Sequence, residues 1–364
     1  MTGAPQRIDL VSLEPDELET ELSEFFRTRG EPAYRVGQVR RWLYEAGSAD
    51  FDGMTDLPAS ERTALEERYR ICEPELARLS VSEDGTAKHL WQLEDGELVE
   101  SVLIPARDRL TLCLSSQAGC AVACTFCATG WSGFRRHLTA GEIVAQYRAS
   151  ARWAVERDYG PITNVVYMGM GEPLANRDAV FPSLTILNHG LGVGARRITV
   201  STVGVVPGIL ELARRPEQFR LAVSLHSPDP ALRAELIPLE KRWPLHELMD
   251  ALRVFDGAGG KRITLEYVMI RSVNDALPLA SALADLATTT GAFVNLIPFN
   301  PIPNQDWKPS RPDRVEQFRR VLEDRGVAVA VREPRGRDIE AACGQLRTKE
   351  LVSIGAAPTE KRRE

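Results

Sequence analysis

The sequence predicts an α/β fold: an open, partial (β/α)6 barrel with a small N-terminal helical domain and a β-hairpin linker. Three observations carry this. From Leu110 onward a strand-then-helix rhythm repeats six times, and such alternation calls for parallel strands joined by crossover helices. Six units fall short of the eight that close a complete barrel. The first 75 residues instead show helix-period apolar patterns, and residues 86–104 switch to a two-residue period. The expected boundaries are a helical domain over 1–80, a hairpin linker over 81–105, a barrel over 106–340 and a C-terminal segment over 341–364.

In chain order, Leu18, Leu22 and Phe25 or Phe26 recur at helical spacing after Ser12 or Glu14, and Gly30 ends that helix. A second helix runs from Tyr34 to Tyr44, and a third follows Pro58. Asp95-Gly96 between two alternating runs marks a hairpin. Its second strand sets Leu98, Glu100, Val102 and Ile104 on one face, a carboxylate among aliphatic residues. Barrel strands are expected at 111–115, 164–168, 197–203, 220–226, 262–270 and 293–299, with helices at 139–157, 229–236, 244–255 and 276–288. A helix at 312–325, a strand at 327–332 and a Cys-bearing segment complete the pattern, and the tail from Gly355 is expected to be disordered.

With 364 residues, 43% hydrophobic and 26% charged, the composition is that of a globular protein and excludes a disordered or collagen-like one. No apolar run approaches the ~20 residues that span a bilayer, and the acidic amino terminus lacks a signal pattern, so a cytoplasmic protein is expected. The net charge of −6 is unevenly spread: the first hundred residues hold 11 Lys and Arg against 23 Asp and Glu, leaving 34 against 28 in the remainder. A basic body behind an acidic front leaves room for a phosphate-binding surface.

Six cysteines are too few for a disulfide scaffold in a chain of this length. Three form Cys120-Ala-Val-Ala-Cys124-Thr-Phe-Cys127, directly after the first barrel strand. Three thiolates this close suit an iron–sulfur cluster with one iron left open to a small molecule. Zinc is the alternative, but it wants a fourth Cys or His nearby, and the nearest is His137. Met168-Gly-Met-Gly171-Glu172-Pro173 ends the second barrel strand, where parallel β/α folds place ligands. Its glycines permit close approach, and Glu172 can accept from an ammonium group. Ser201, Ser224–His226 and Asn300 stand at three further strand ends; His226 or Asn300 alone would read equally as a structural hydrogen bond. Cys113 shares a strand face with Thr111 and Ser115, Cys343 precedes Gly344 in a short turn that would let it move, and Cys72 reads as structural.

The Cys-x-x-x-Cys-x-x-Cys spacing resembles the radical S-adenosylmethionine (SAM) superfamily. Along nearly the whole chain the sequence resembles the RlmN/Cfr family of radical SAM RNA methyltransferases, and the RlmN group most. Tyr34–Gln38, Met54–Pro58, Cys113–Gly130, Gly169–Asn176, Ile198–Gly204, Ser224–His226, Asn295–Pro298 and Ala342–Leu346 carry the likeness. Trp131, Ser227 and Phe299 depart from residues common in the family.

The resemblance implies a radical SAM barrel, one 4Fe-4S cluster on Cys120, Cys124 and Cys127, and two SAM molecules per turnover. The cofactor-binding set would be Gly171, Glu172, Ser201, Ser224, Leu225, His226 and Asn300. It implies methylation of C2 of adenosine in 23S rRNA and in tRNA beside the anticodon. Cys343 would carry the methyl group, Cys113 would release product through a transient Cys113–Cys343 disulfide, and Glu100 would take the ring proton. A one-residue slip of the hairpin would instead expose Glu100. A flavodoxin- or ferredoxin-type electron donor, a monomeric state and no membrane association are expected. RNA would meet Arg135, Arg136 and His137, and Arg332, Arg335, Arg337 and Arg347; each run reads equally as a solvated face. A Cfr-like C8 methyltransferase and a non-enzymatic iron–sulfur RNA-binding protein are the competing readings.

Overall fold

A computed structural model describes residues 7–303 and 305–346; Arg347 and the tail expected to be disordered lie outside them. The amino-terminal part contains α1 (Pro15–Thr28), α2 (Tyr34–Tyr44) and α3 (Ala59–Arg68). Leu18, Leu22, Phe25, Phe26, Val36, Val39 and Leu43 close their own core, as the spacing predicts. Glu14 and Glu17 cap α1 reciprocally. This core also takes in Val144 and Ile186 from the barrel, so the helices are docked on it.

A ten-stranded sheet follows: β1 (Glu75–Val81), β2 (Ala87–Gln92), β3 (Leu98–Ala106), β4 (Arg109–Cys113), β5 (Asn164–Tyr167), β6 (Ile198–Thr202), β7 (Arg220–Ser224), β8 (Ile263–Met269), β9 (Phe293–Pro298) and β10 (Val329–Val331). Every strand pairs with its neighbour in the chain. β1 to β4 pair antiparallel, whereas β4 to β10 pair in parallel. The hairpin expected as a linker is therefore part of the barrel's own sheet, extended by a strand, β1, that the sequence reading did not place. Asp95-Gly96 does form its turn, with Gly96 at φ 86°.

Crossover helices return the chain after each parallel strand: α4 (Ala140–Glu156), α5 (Arg177–Thr185), α6 (Val206–Arg214), α7 (Pro230–Leu236) with α8 (Leu245–Gly257), α9 (Leu277–Thr289) and α10 (Pro312–Asp324). Six strand–helix units stand where the rhythm places them, with β10 as a short seventh parallel strand. Thr139 and Glu142 form the capping box that starts α4. The apolar faces of the parallel strands and their helices make the main core, among them Leu112, Val165, Val200, Leu221, Leu265 and Leu296. The opposite faces point inward and are mostly polar. Among the described residues no helix is long and apolar enough to cross a membrane.

Candidate active site

At the carboxyl ends of the parallel strands lies an open cavity. Its walls include Cys120, Cys124, Cys127, Gly171, Glu172, Ser201, Ser224, His226, Asn300 and Cys343. Ten residues read from widely separated sequence segments thus meet at one place.

The cysteine loop is held by a two-stranded ribbon, Gln117–Gly119 against Phe134–His137. Gly119 has φ +76°, and a Cβ there would lie 1.9 Å from the Gly133 carbonyl oxygen, the group that accepts from the Cys120 amide at 3.0 Å. Only glycine fits. Beyond Cys127 a single helical turn, Ala128–Trp131, ends the loop.

Burial pushes the Cys120 thiol up to about 12. Cys124 is raised well above its ordinary value by burial and by the neighbouring Cys127 and Cys120 sulfurs. Sulfurs crowded in this way become thiolates only when metal compensates their charge. Among the described residues no three His, Cys, Asp or Glu side chains converge tightly enough to share a single ion, as zinc with its ~2.3 Å sulfur bonds requires. One buried and two half-buried sulfurs lining an open cavity fit a cluster, which offers each sulfur its own iron.

Glu172 lines the cavity with both oxygens engaged: Oε1 accepts from the Leu174 amide at 3.0 Å and Oε2 from the Val203 amide at 2.8 Å. Burial nevertheless raises it to about 7, so a cation arriving beside it would be welcome. The glycines before it serve packing as much as access. At Gly171, φ +99°, a Cβ would meet Gln117 at 2.5 Å, and at Gly169 it would meet the Leu114 carbonyl at 2.6 Å. His226 is in the left-handed region at φ 59°, held by Asn274 donating to its carbonyl at 2.8 Å. Its Nδ1 accepts from the Val268 amide at 3.0 Å. Burial and nearby Arg233 lower it to about 3, so the ring is neutral with its proton on Nε2. Between Ser224 and His226, Leu225 has its side chain fully buried in the core, and its amide and carbonyl bond to Glu266 and Ser227.

Cys343 is exposed to the cavity. The turn that carries it is pinned rather than free. Asn300 donates to the Cys343 carbonyl at 3.2 Å, the Ala128 amide donates to the Gly344 carbonyl at 2.7 Å, and Asp338 accepts from Ser82 at 2.6 Å. Cys113, at the end of β4, is buried on the inward face. Its thiol is pushed up to about 12 by burial and by the neighbouring Cys343 sulfur, with Arg332 opposing. Arg332 lines the same cavity, and its guanidinium is held above its usual range chiefly by Cys343.

Several expectations need correction. Glu100 is buried as the hairpin register requires, but it is not alone among aliphatic residues. Lys88 from β2 pairs with it at 3.0 Å and also donates to the Glu340 carbonyl at 3.1 Å. Arg136 does not wait for phosphate: Asp95 at 2.6 Å and Glu142 at 2.8 Å enclose it. Arg332 faces the cavity, and Arg337 donates to Asn300 at 3.1 Å. The sequence reading missed Glu266, a cavity carboxyl raised by burial that accepts from Asn295 at 2.8 Å. The inward alternation Thr264, Glu266, Val268 was the available signal. It missed Lys88 and Arg233 as well.

Two family models match the chain: the Radical SAM superfamily over residues 114–280 and the Ribosomal RNA large subunit methyltransferase N-terminal domain over residues 9–71. A probable dual-specificity RNA methyltransferase RlmN from Gemmatimonas aurantiaca is 49% identical over 345 residues, 94% of each chain. A dual-specificity RNA methyltransferase RlmN from a Marinomonas species is 41% identical over 94% of this chain and 93% of its own. The crystal structure of a radical SAM methyltransferase from Sphaerobacter thermophilus superposes with a TM-score of 0.88 at 45% identity, covering 93% of this chain and 99% of that one.

Proposed function

The chain belongs to the RlmN family of radical SAM RNA methyltransferases, and on that premise we propose that it methylates C2 of adenosine in 23S rRNA and in tRNA beside the anticodon. It is an enzyme whose cofactors are a 4Fe-4S cluster and SAM. The observation that supports the finer reading is the meeting of the three loop cysteines, the Glu172 strip and Cys343 at one cavity, with Cys113 beside Cys343.

In this reading Cys120, Cys124 and Cys127 hold the cluster, and Gly171, Glu172, Ser201, Ser224, His226 and Asn300 hold SAM. Bound there, the pair supplies the radical that activates a methyl carbon. Cys343 carries that carbon on its sulfur and presents it to the adenine. Arg332 opposes the burial that pushes the Cys113 thiol up, and so favours the thiolate that Cys113 must become. Glu100 shares the sheet face of Cys113, since Val102 is the register partner of Cys113, and its ion-paired carboxylate accepts the ring proton. Cys113 would then attack the Cys343 sulfur, and the two sulfurs would form a disulfide for external reduction. The carbon–sulfur electron pair would stay on the carbon, which takes a proton to become the methyl group, and the adduct's surplus electron would leave to the bound cluster as acceptor. A flavodoxin- or ferredoxin-type protein supplies electrons, and the enzyme works as a cytoplasmic monomer.

Mass analysis of adenosines from a complemented strain tests the position. 2-Methyladenosine in both RNAs is the expected product; 8-methyladenosine would overturn C2 in favour of the C8 chemistry of Cfr. Cleavage of SAM by dithionite-reduced enzyme excludes a non-enzymatic iron–sulfur protein.

A further inference from the structure

Behind the cysteine loop lies a buried ion pair that takes no part in the proposed reaction. Arg233 on α7 is 1% exposed and Glu240 is 6% exposed, and the guanidinium bonds the carboxylate directly. Burying such a pair commonly adds little stability over an apolar pair of the same volume, so its use lies in what each charge faces. Arg233 Nη2 donates to the Val203 carbonyl at 2.6 Å, and the Val203 amide in turn donates to Glu172. The other Glu240 oxygen accepts from the Leu245 amide at 2.7 Å, at the positive end of the thirteen-residue α8. Glu240 is thus shared between the guanidinium and a helix end.

The guanidinium stands directly behind the cavity wall, since Val203, to which it donates, lines the cavity. The end of α7 is fastened to the cysteine loop, where the Thr125 amide donates to the Leu236 carbonyl at 3.1 Å. Leu236 and Ile237 pack with Cys124 in one apolar cluster. Arg233 acts electrostatically on both Cys124 and His226. Its charge is permanent and, at this depth, poorly screened.

We propose that Arg233 is a positioning residue that raises the reduction potential of the cluster held by Cys120, Cys124 and Cys127, and that Glu240 moderates the effect. Accepting an electron adds negative charge to the cluster, a buried cation nearby stabilises the reduced form, and net local charge is one of the levers that set such potentials.

The test is an EPR-monitored redox titration of anaerobically reconstituted holoenzyme without added SAM, comparing wild type with E240Q and with the R233M/E240Q pair. The pair replaces two charges by groups of similar volume, which usually spares folding. The midpoint of E240Q should rise, and that of R233M/E240Q should fall below wild type. Each shift is expected near tenfold in the one-electron equilibrium, about 59 mV. A purely structural role changes cluster content or thermal stability without this reversal of sign. Midpoints equal to wild type, or shifts in one direction only, overturn the proposal. Where the double variant loads no cluster, E240Q decides alone, and an unmoved or lowered midpoint overturns it. Absence of a reduced 4Fe-4S signal in wild type would count against the cofactor set itself, not against Arg233.

Discussion

Replacing Gly119 by alanine isolates what holds the cysteine loop in place. Its left-handed backbone, φ +76°, costs an alanine about 1–2 kcal/mol. The added Cβ would also lie 1.9 Å from the Gly133 carbonyl oxygen and 2.9 Å from its carbon, both backbone atoms that cannot swing aside. Displacing that carbonyl unpairs the Cys120 amide, a further ~1–3 kcal/mol where water cannot replace it. The sum of about 2–5 kcal/mol falls on a two-stranded ribbon, and such ribbons are marginal by themselves. The ribbon therefore opens before the barrel does, and Cys120 leaves its place. Gly133 is the control: φ is +75°, yet nothing lies within 4 Å of its Cβ position, so G133A meets only the backbone cost. After anaerobic reconstitution, iron and sulfide per chain should be near wild type in G133A and well below half of it in G119A. The main melting transition should change little in either. Equal iron in the two variants would show that the clash with Gly133 is not what fixes the loop.

Other consequences are testable in the same protein. C343A should abolish methyl transfer to RNA, whereas C113A should accumulate a covalent protein–RNA adduct visible on denaturing gels; normal product release from C113A would remove its resolving role. His89, buried with both ring nitrogens unpaired between Trp91 and Trp153, is lowered by burial to about 4. The unfolded chain therefore takes up the proton first, and stability present above pH 6.5 is lost as pH falls toward 4, by about 3 kcal/mol. H89F should flatten that loss in urea unfolding at pH 7 and pH 4.5; an unchanged slope would clear His89 of the effect. R136A should lower stability by about 1 kcal/mol without altering the salt dependence of RNA affinity. A slope reduced by about one unit would restore Arg136 as a phosphate contact.

The sequence made the barrel readable because each parallel strand is bounded by turn residues and followed by a helix of matching period. The cavity was readable too, because parallel strands put their carboxyl ends at one face, and Glu172, Ser201, Ser224, His226 and Asn300 all stand there. Pairings between segments distant in the chain were not readable. Asp95 meets Arg136 across 41 residues, and Lys88, paired with Glu100 inside the hairpin, also reaches the Glu340 carbonyl from the far end of the chain. No local pattern encodes either. Leu225 lies between two cavity residues, and strand alternation turns its side chain into the core. The glycines of the Met168–Glu172 strip were read as making room for a ligand, while much of the space they save is taken by Leu114 and Gln117.

The bonds that tie residues 343–346 to the helical turn after Cys127 also set an order of assembly. Ala128 donates to Gly344, and Thr129 donates to Leu346 at 2.6 Å. Because synthesis runs from the amino end, the metal-binding loop emerges more than two hundred residues before the strip that seals its flank. A chain still on the ribosome therefore presents those thiols through an unfinished wall, and metallation can precede its completion.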